Sequence, residues 1–323
     1  MKFQIGNASG VMCKDKEDLD KLYSLSYCSF VVTKSATLQQ RNGNPEPRYA
    51  TLPNGSINSS GLPNHGFDFY LNWAFDKLTN DKEYAFNLKK KIYLSISGLS
   101  IEDNVIMIQK YNEMINKLFQ IEDFNHYFIP QLEINLSCPN IIGKPQIGYD
   151  IDNLETYIRT LDNNIDLRVS YGVKLPPYFD ICHFQRVSSI LNKFDKCSFV
   201  VCCNSIGNGL YIDIENKQVS IKPNNGFGGI GGNYMLPTAL ANVNYFYNHL
   251  VNKEIVGCGG INDHKSCLMH IYAGASRVQI GTYLYEKGED VFGYIKSDLF
   301  SYIWRNSLGD IKNLIGCIEN NKL

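Results

Sequence analysis

Eight short β-rich runs, each separated from the next by polar or helical stretches, constrain this chain more than any other feature. They fall at residues 3–8, 30–34, 92–97, 131–136, 172–175, 199–204, 254–257 and 277–280. Strands that alternate with helical patterns form parallel βαβ units. Eight such units match a closed (β/α)8 TIM barrel, whose usual size is about 250 residues plus insertions, and the chain has 323 residues. The rival is an open, doubly wound sheet. Its dinucleotide fingerprint, G-x-G-x-x-G, is missing from the first strand–helix junction. The expected architecture is therefore α/β, a single barrel domain over residues 1–323 with inserted loops at the C-terminal face.

Helix signals agree. Ser100-Ile101-Glu102-Asp103 is a capping-box variant, and Val105, Ile108, Ile115 and Leu118 follow it at helical spacing. Residues 15–23 and 263–272 start with an aspartate, which suits the positive end of a helix dipole. Asp81, Lys82, Glu83, Lys89, Lys90 and Lys91 read as a solvated surface connection. Two loops exceed what a barrel needs: 39–64, rich in Asn, Pro and Gly, and 206–233, with the glycine run 226–232. Both follow expected strands, so both belong on the C-terminal face, where barrel active sites are built.

Charge narrows the class of function. With 31 Lys+Arg against 32 Asp+Glu, the net charge is −1. The basic excess that draws proteins to nucleic acid or anionic membrane is absent. No apolar run of about 18–20 residues exists to span a bilayer, and the opening MKFQIGNASG makes a poor signal peptide. A cytoplasmic enzyme without nucleic-acid or membrane partners is expected. Ten cysteines include no Cys-x-x-Cys spacing, so no metal or iron–sulfur site is expected, and most of them read as small buried hydrophobes.

The expected strand ends carry an unusual set of polar and small residues: Ser9-Gly10, Lys34-Ser35, Ser97, Asn135, Lys174, Asn204-Ser205, Gly259-Gly260 and Gly281-Thr282. A barrel gathers these ends into one pocket. Singly they are ordinary turn residues. Together, Gly259-Gly260 and Gly281-Thr282 occupy the position of the barrel phosphate site, where glycines admit backbone N–H groups to a phosphate. Lys34 and Lys174 could then neutralise an anionic substrate or reduced cofactor. Cys138, in Asn135-Leu136-Ser137-Cys138-Pro139-Asn140, differs from the other cysteines. It follows an apolar strand among polar groups with no histidine nearby in sequence, which suits proton abstraction better than Cys–His hydrolysis.

Several longer motifs then give a resemblance. Asn7-Ala8-Ser9-Gly10, Gly43-Asn44-Pro45-Glu46-Pro47-Arg48-Tyr49, Ser56-Ile57-Asn58, Gly61-Leu62-Pro63-Asn64, Asn135 to Asn140, Gly172-Val173-Lys174-Leu175-Pro176-Pro177, Asn204-Ser205-Ile206-Gly207-Asn208-Gly209 and the 226–232 run resemble dihydroorotate dehydrogenase. The likeness is closest to the soluble class 1A enzymes and covers nearly the whole chain. It implies an FMN-containing barrel that oxidises (S)-dihydroorotate to orotate in pyrimidine (UMP) biosynthesis, with fumarate as electron acceptor, and a homodimer. By the same resemblance Cys138 is the catalytic base that takes a proton from C5 while a hydride leaves C6. Lys34, Asn58, Ser59, Ser60, Gly61, Leu62, Asn135, Asn140, Asn204 and Ser205 match substrate contacts. Ser9, Gly10, Lys34, Ser35, Asn135, Lys174, Cys203, Gly232, Gly259, Gly260, Gly281 and Thr282 match FMN contacts.

The chain departs from the family pattern at three places. Ser60 stands where the family usually has Met, Cys203 stands where it tends to have a small apolar residue, and the segment ahead of the first strand is short. Two alternatives remain open on sequence. One is a class 1B-type dehydrogenase that reaches NAD through an iron–sulfur/FAD partner subunit. The other is a flavin-binding barrel that has lost catalysis.

Overall fold

The computed structural model describes residues 3–79, 90–137 and 146–318. In chain order its strands are β1 (Gln4–Asn7), β2 (Phe30–Val32), β3 (Tyr49–Leu52), β4 (Gly55–Asn58), β5 (Lys91–Ile96), β6 (Gln131–Asn135), β7 (Tyr171–Lys174), β8 (Cys197–Cys202), β9 (Ile206–Gly209), β10 (Ile212–Asp213), β11 (Gln218–Val219), β12 (Gly228–Gly232), β13 (Glu254–Cys258) and β14 (Arg277–Ile280). Eight of them close a parallel barrel in the order β1-β14-β13-β8-β7-β6-β5-β2. All eight runs read from the sequence are barrel strands. β1 pairs along its whole length with β14, from Gln4↔Arg277 to Asn7↔Ile280.

Helices α1 (Lys16–Ser24), α2 (Phe67–Thr79), α3 (Ile101–Phe119), α4 (Ile151–Asn164), α5 (Ile181–Leu191), α6 (Leu236–His249), α7 (His264–Ala273), α8 (Thr282–Lys287) and α9 (Val291–Arg305) follow the barrel strands. The expected cap forms at α3, and the structure adds a second at α7. Ser100 Oγ accepts from Asp103 N at 3.1 Å, while the Asp103 carboxylate accepts from Leu99 N at 3.0 Å. At α7 Asp263 Oδ1 accepts from Ser266 N at 2.7 Å, and Ser266 Oγ in turn accepts from Asp263 N at 3.1 Å. None of the described helices is long and apolar enough to cross a membrane.

Strand periodicity sorts the side chains. Leu132, Ile134, Val278 and Ile280 point outward to the helices and join the main core. The alternate residues fill the barrel, beginning with a ring cluster of Phe30, Tyr93 and Phe199. Their bulk explains two strand glycines: a Cβ on Gly6 would lie 2.4 Å from the Phe30 ring, and one on Gly172 would lie 2.3 Å from the Phe199 ring. Arg277 closes this layer, with its guanidinium 4.4 Å from the Tyr93 centroid and 4.7 Å from that of Phe199.

Two expectations need correction. Lys90 is buried rather than solvated, because the last carbonyls of α1 need donors. Its ammonium donates to Leu22 O at 3.1 Å and to Leu25 O, and burial lowers its pKa to about 8. Lys91 begins β5, half-buried over the Tyr127 ring; residues 81–89 of that connection lie outside the described residues. Second, the two long loops are not structureless. They contribute an antiparallel sheet, β3-β4-β12-β9, with its own small core of Leu52, Ile57 and Ile221. The cysteines are as expected: most described ones are buried, and Cys182 and Cys317 are exposed.

Candidate active site

At the C-terminal ends of the barrel strands, under the β3-β4-β12-β9 sheet, lies a cavity of about 610 Å³. Ligand sites commonly measure about 300–1,000 Å³. Strand alternation delivers its floor: Asn135 ends β6 and Lys174 ends β7, both with their side chains inside the barrel. On β4, Ser56 and Asn58 face the cavity, whereas Ile57 between them is wholly buried in the small core.

Hydroxyls and amides hold one another in place. Ser9 Oγ donates to Thr33 O at 2.8 Å and lies 3.0 Å from Ser35 Oγ, which in turn lies 2.9 Å from Ser95 Oγ. Asn204 Nδ2 donates to Asn135 Oδ1 at 3.2 Å and to Ser137 O at 2.7 Å. Asn135 Oδ1 also accepts from Ser137 N at 3.1 Å, which fixes the chain directly before residue 138. Ser56 Oγ and Thr282 Oγ1, 3.1 Å apart, tie the upper sheet to the end of β14.

Glycines let these groups approach. A Cβ on Gly231 would lie 2.7 Å from Thr282 Oγ1, one on Gly229 would lie 2.2 Å from Ser205 Oγ, and one on Gly10 would lie 3.2 Å from the Lys34 ammonium. Gly259 and Gly260 have φ of +124° and +74°, a region that penalises any side chain. A Cβ on Gly260 would also sit 2.5 Å from that of Leu236. His270 supports this pair from below, its Nε2 2.9 Å from Gly259 O.

The floor carries the strongest electrostatics. Lys174 Nζ donates to Gln279 Oε1 at 3.4 Å, and Gln279 Nε2 donates to Glu133 Oε2 at 2.6 Å. Burial disfavours the Lys174 ammonium, but the Cys258 sulfur and the Glu133 carboxylate outweigh it and raise its pKa. Burial raises the Glu133 pKa, against the opposing effects of Lys174 and Gln279. Burial also pushes up the Cys203 and Cys258 thiols, an effect that the Lys174 ammonium opposes. The site thus offers two ammonium groups, several amides and a glycine-walled pocket: the donor set for an anionic heterocycle and a phosphorylated cofactor.

Of the residues expected to bind cofactor, Ser9, Gly10, Lys34, Ser35, Asn135, Lys174, Cys203, Gly232, Gly259, Gly260, Gly281 and Thr282 all line this cavity. So do Asn58, Ser60, Gly61, Leu62, Asn204 and Ser205 from the expected substrate set. Ser59 does not: it is buried, and its carbonyl accepts from Asn44 Nδ2 at 2.8 Å. Cys138 and Asn140 lie outside the described residues. Sequence reasoning left Ser56, Glu133 and Gln279 without a role. Period-2 spacing was the available signal, since Ser56 precedes Asn58, and Glu133 precedes Asn135, by two residues on the same strand face.

The chain resembles known proteins along nearly its whole length. The dihydroorotate dehydrogenase family model matches residues 1–303. "Dihydroorotate dehydrogenase (fumarate)" of Trypanosoma cruzi is 44% identical over 313 residues, covering 97% of this chain and 93% of its own. "Dihydroorotate dehydrogenase A (fumarate)" of Lactococcus lactis is 45% identical over 315 residues, covering 97% and 94%. In fold, the chain is similar to the crystal structure of DHODH from Eimeria tenella in complex with ferulenol. That match has a TM-score of 0.73 at 18% identity, over 97% of this chain and 84% of that one.

Proposed function

Starting from the premise that this chain belongs to the dihydroorotate dehydrogenase family, we propose that it oxidises (S)-dihydroorotate to orotate on a bound FMN and delivers the electrons to fumarate, a step of pyrimidine biosynthesis. The observation that carries the proposal is the convergence of Lys34, Lys174, Asn58, Asn135 and Asn204 on one glycine-walled cavity at the barrel mouth. Fumarate as acceptor rests on the names of the relatives.

FMN, when bound, supplies the hydride acceptor. The chain's own residues do the rest. Gly259, Gly260, Gly281 and Thr282 give a phosphate close access to backbone, and Lys174 sits where a cation would favour a reduced, anionic isoalloxazine. Lys34, beside Gly10, is the cation for the orotate carboxylate, and Asn58, Asn135 and Asn204 are the amide partners for the pyrimidine edge. Cys138 is the base for the C5 proton. It follows Ser137, whose backbone the Asn135–Asn204 pair holds in position. The sheet β3-β4-β12-β9 covers the cavity.

A homodimer in the cytoplasm belongs to the same proposal. Leu210, Tyr211, Ile212, Ile214 and Val219, along the β9–β11 segment, are all exposed. An apolar surface of this kind favours association. A direct test is turnover: the purified yellow chain, given dihydroorotate, should form orotate with fumarate and not with NAD. NAD-dependent turnover, or none with either acceptor, would refute the assignment.

A further inference from the structure

Beneath the cavity floor, three residues from three strands make a continuous polar chain inside the barrel: Lys174 on β7, Gln279 on β14 and Glu133 on β6. Lys174 reaches the cavity, and Glu133 is wholly buried behind it. Gln279 bridges them, accepting from the ammonium at 3.4 Å and donating to Glu133 Oε2 at 2.6 Å. Glu133 Oε1 is buried with no hydrogen-bond partner. Arg277, another cation of the barrel interior, turns instead to Glu254 at 3.3 Å and to the ring cluster, whereas Lys174 acts directly on Glu133. Lys174 is therefore the cation that Glu133 opposes.

We propose that Glu133 is a positioning and charge-balancing residue that acts through Gln279 and Lys174 to set the reduction potential of the bound flavin. The proposal rests on the FMN reading above. A cation beside the flavin favours the reduced anion, and in a dry barrel its field is weakly screened. A lone Lys174 would make the flavin easy to reduce and slow to give its electrons back. The Glu133 carboxylate offsets part of that charge without touching either ligand, so the flavin can be reduced by dihydroorotate and reoxidised by fumarate. Period-2 placement makes this arrangement possible: Glu133 lies one inward position below Asn135, and Gln279 occupies the same interior layer.

The test is a redox titration of the FMN-loaded full chain against a reference dye. Glu133→Gln keeps the shape and can still bond to Gln279 by turning its amide. Its flavin should have a more positive midpoint potential than the parent, with slower reoxidation by fumarate and flavin reduction by dihydroorotate at least as fast. Glu133→Asp, which retains the charge, should stay near the parent value. Glu133→Met, similar in volume and uncharged, should shift the potential in the same direction as Glu133→Gln. A parent-like potential in loaded Glu133→Gln overturns the inference. Should that variant fail to load, a parent-like potential in Glu133→Met does the same. A parent chain that takes up no FMN would instead overturn the flavin reading itself.

Discussion

Asn135 and Cys138 stand three residues apart, yet the sequence speaks of them differently. Asn135 is legible from strand alternation, because its register on β6 puts it inside the barrel beside Lys174. The role of Cys138 comes from motif resemblance and the chemistry of a thiol among polar groups. Cys138→Ala should retain FMN and bind orotate but reduce its flavin about 10²–10⁴-fold more slowly, the usual contribution of a general base. Stopped-flow absorbance checks this, and rapid reduction in the loaded variant would exclude Cys138 as the base. His270 is a residue whose place sequence reasoning did not foresee. Burial lowers its pKa from 6.5 to about 4, only partly offset by its bond to the Gly259 carbonyl. Between those two values the unfolded chain binds a proton that the folded chain refuses. Its contribution to stability is therefore complete above pH 6.5 and is lost as pH falls toward 4, amounting to about 3 kcal/mol. Urea unfolding across that window should show this loss in the parent, and His270→Gln should flatten it. An unchanged slope in the variant would contradict the assignment.

Among the elements, barrel strands were the most readable because each carries at least one β-branched residue in a short apolar run that ends in polar or small residues. Residues 277–280 match β14 at both ends. The upper sheet was not readable. β9 is Ile-Gly-Asn-Gly and β12 is Gly-Gly-Ile-Gly-Gly, sequences with little intrinsic strand preference. Tertiary pairing makes them strands: β12 lies antiparallel between β4 and β9 and packs Ile230 against the Ile57 core. Lys90 was misread for a related reason, since its partners are carbonyls of a helix distant in sequence. If Ile57 anchors the upper sheet, Ile57→Ala should cost about 2–5 kcal/mol. Because this core is separate from the barrel's, the loss should appear as faster amide exchange in β3, β4 and β12, with β6, β7 and β8 still protected. Hydrogen-exchange mass spectrometry separates that outcome from uniform destabilisation, which would show the two cores to be one.

For the whole molecule, the division of labour follows from closing the barrel. Eight parallel strands bring residues from distant parts of the sequence to one mouth, and the same closure buries Glu133 and Arg277 in a dry interior. The cavity at that mouth, about 610 Å³, is of a size that suits a small-molecule ligand. The most direct test of the proposed function is the reductive half-reaction. The purified chain, loaded with FMN and kept free of oxygen, is mixed with dihydroorotate while its visible spectrum is recorded. The flavin bands should bleach, stoichiometric orotate should appear, and added fumarate should restore the yellow colour. A flavin that stays oxidised in saturating dihydroorotate would contradict the proposed function at its centre.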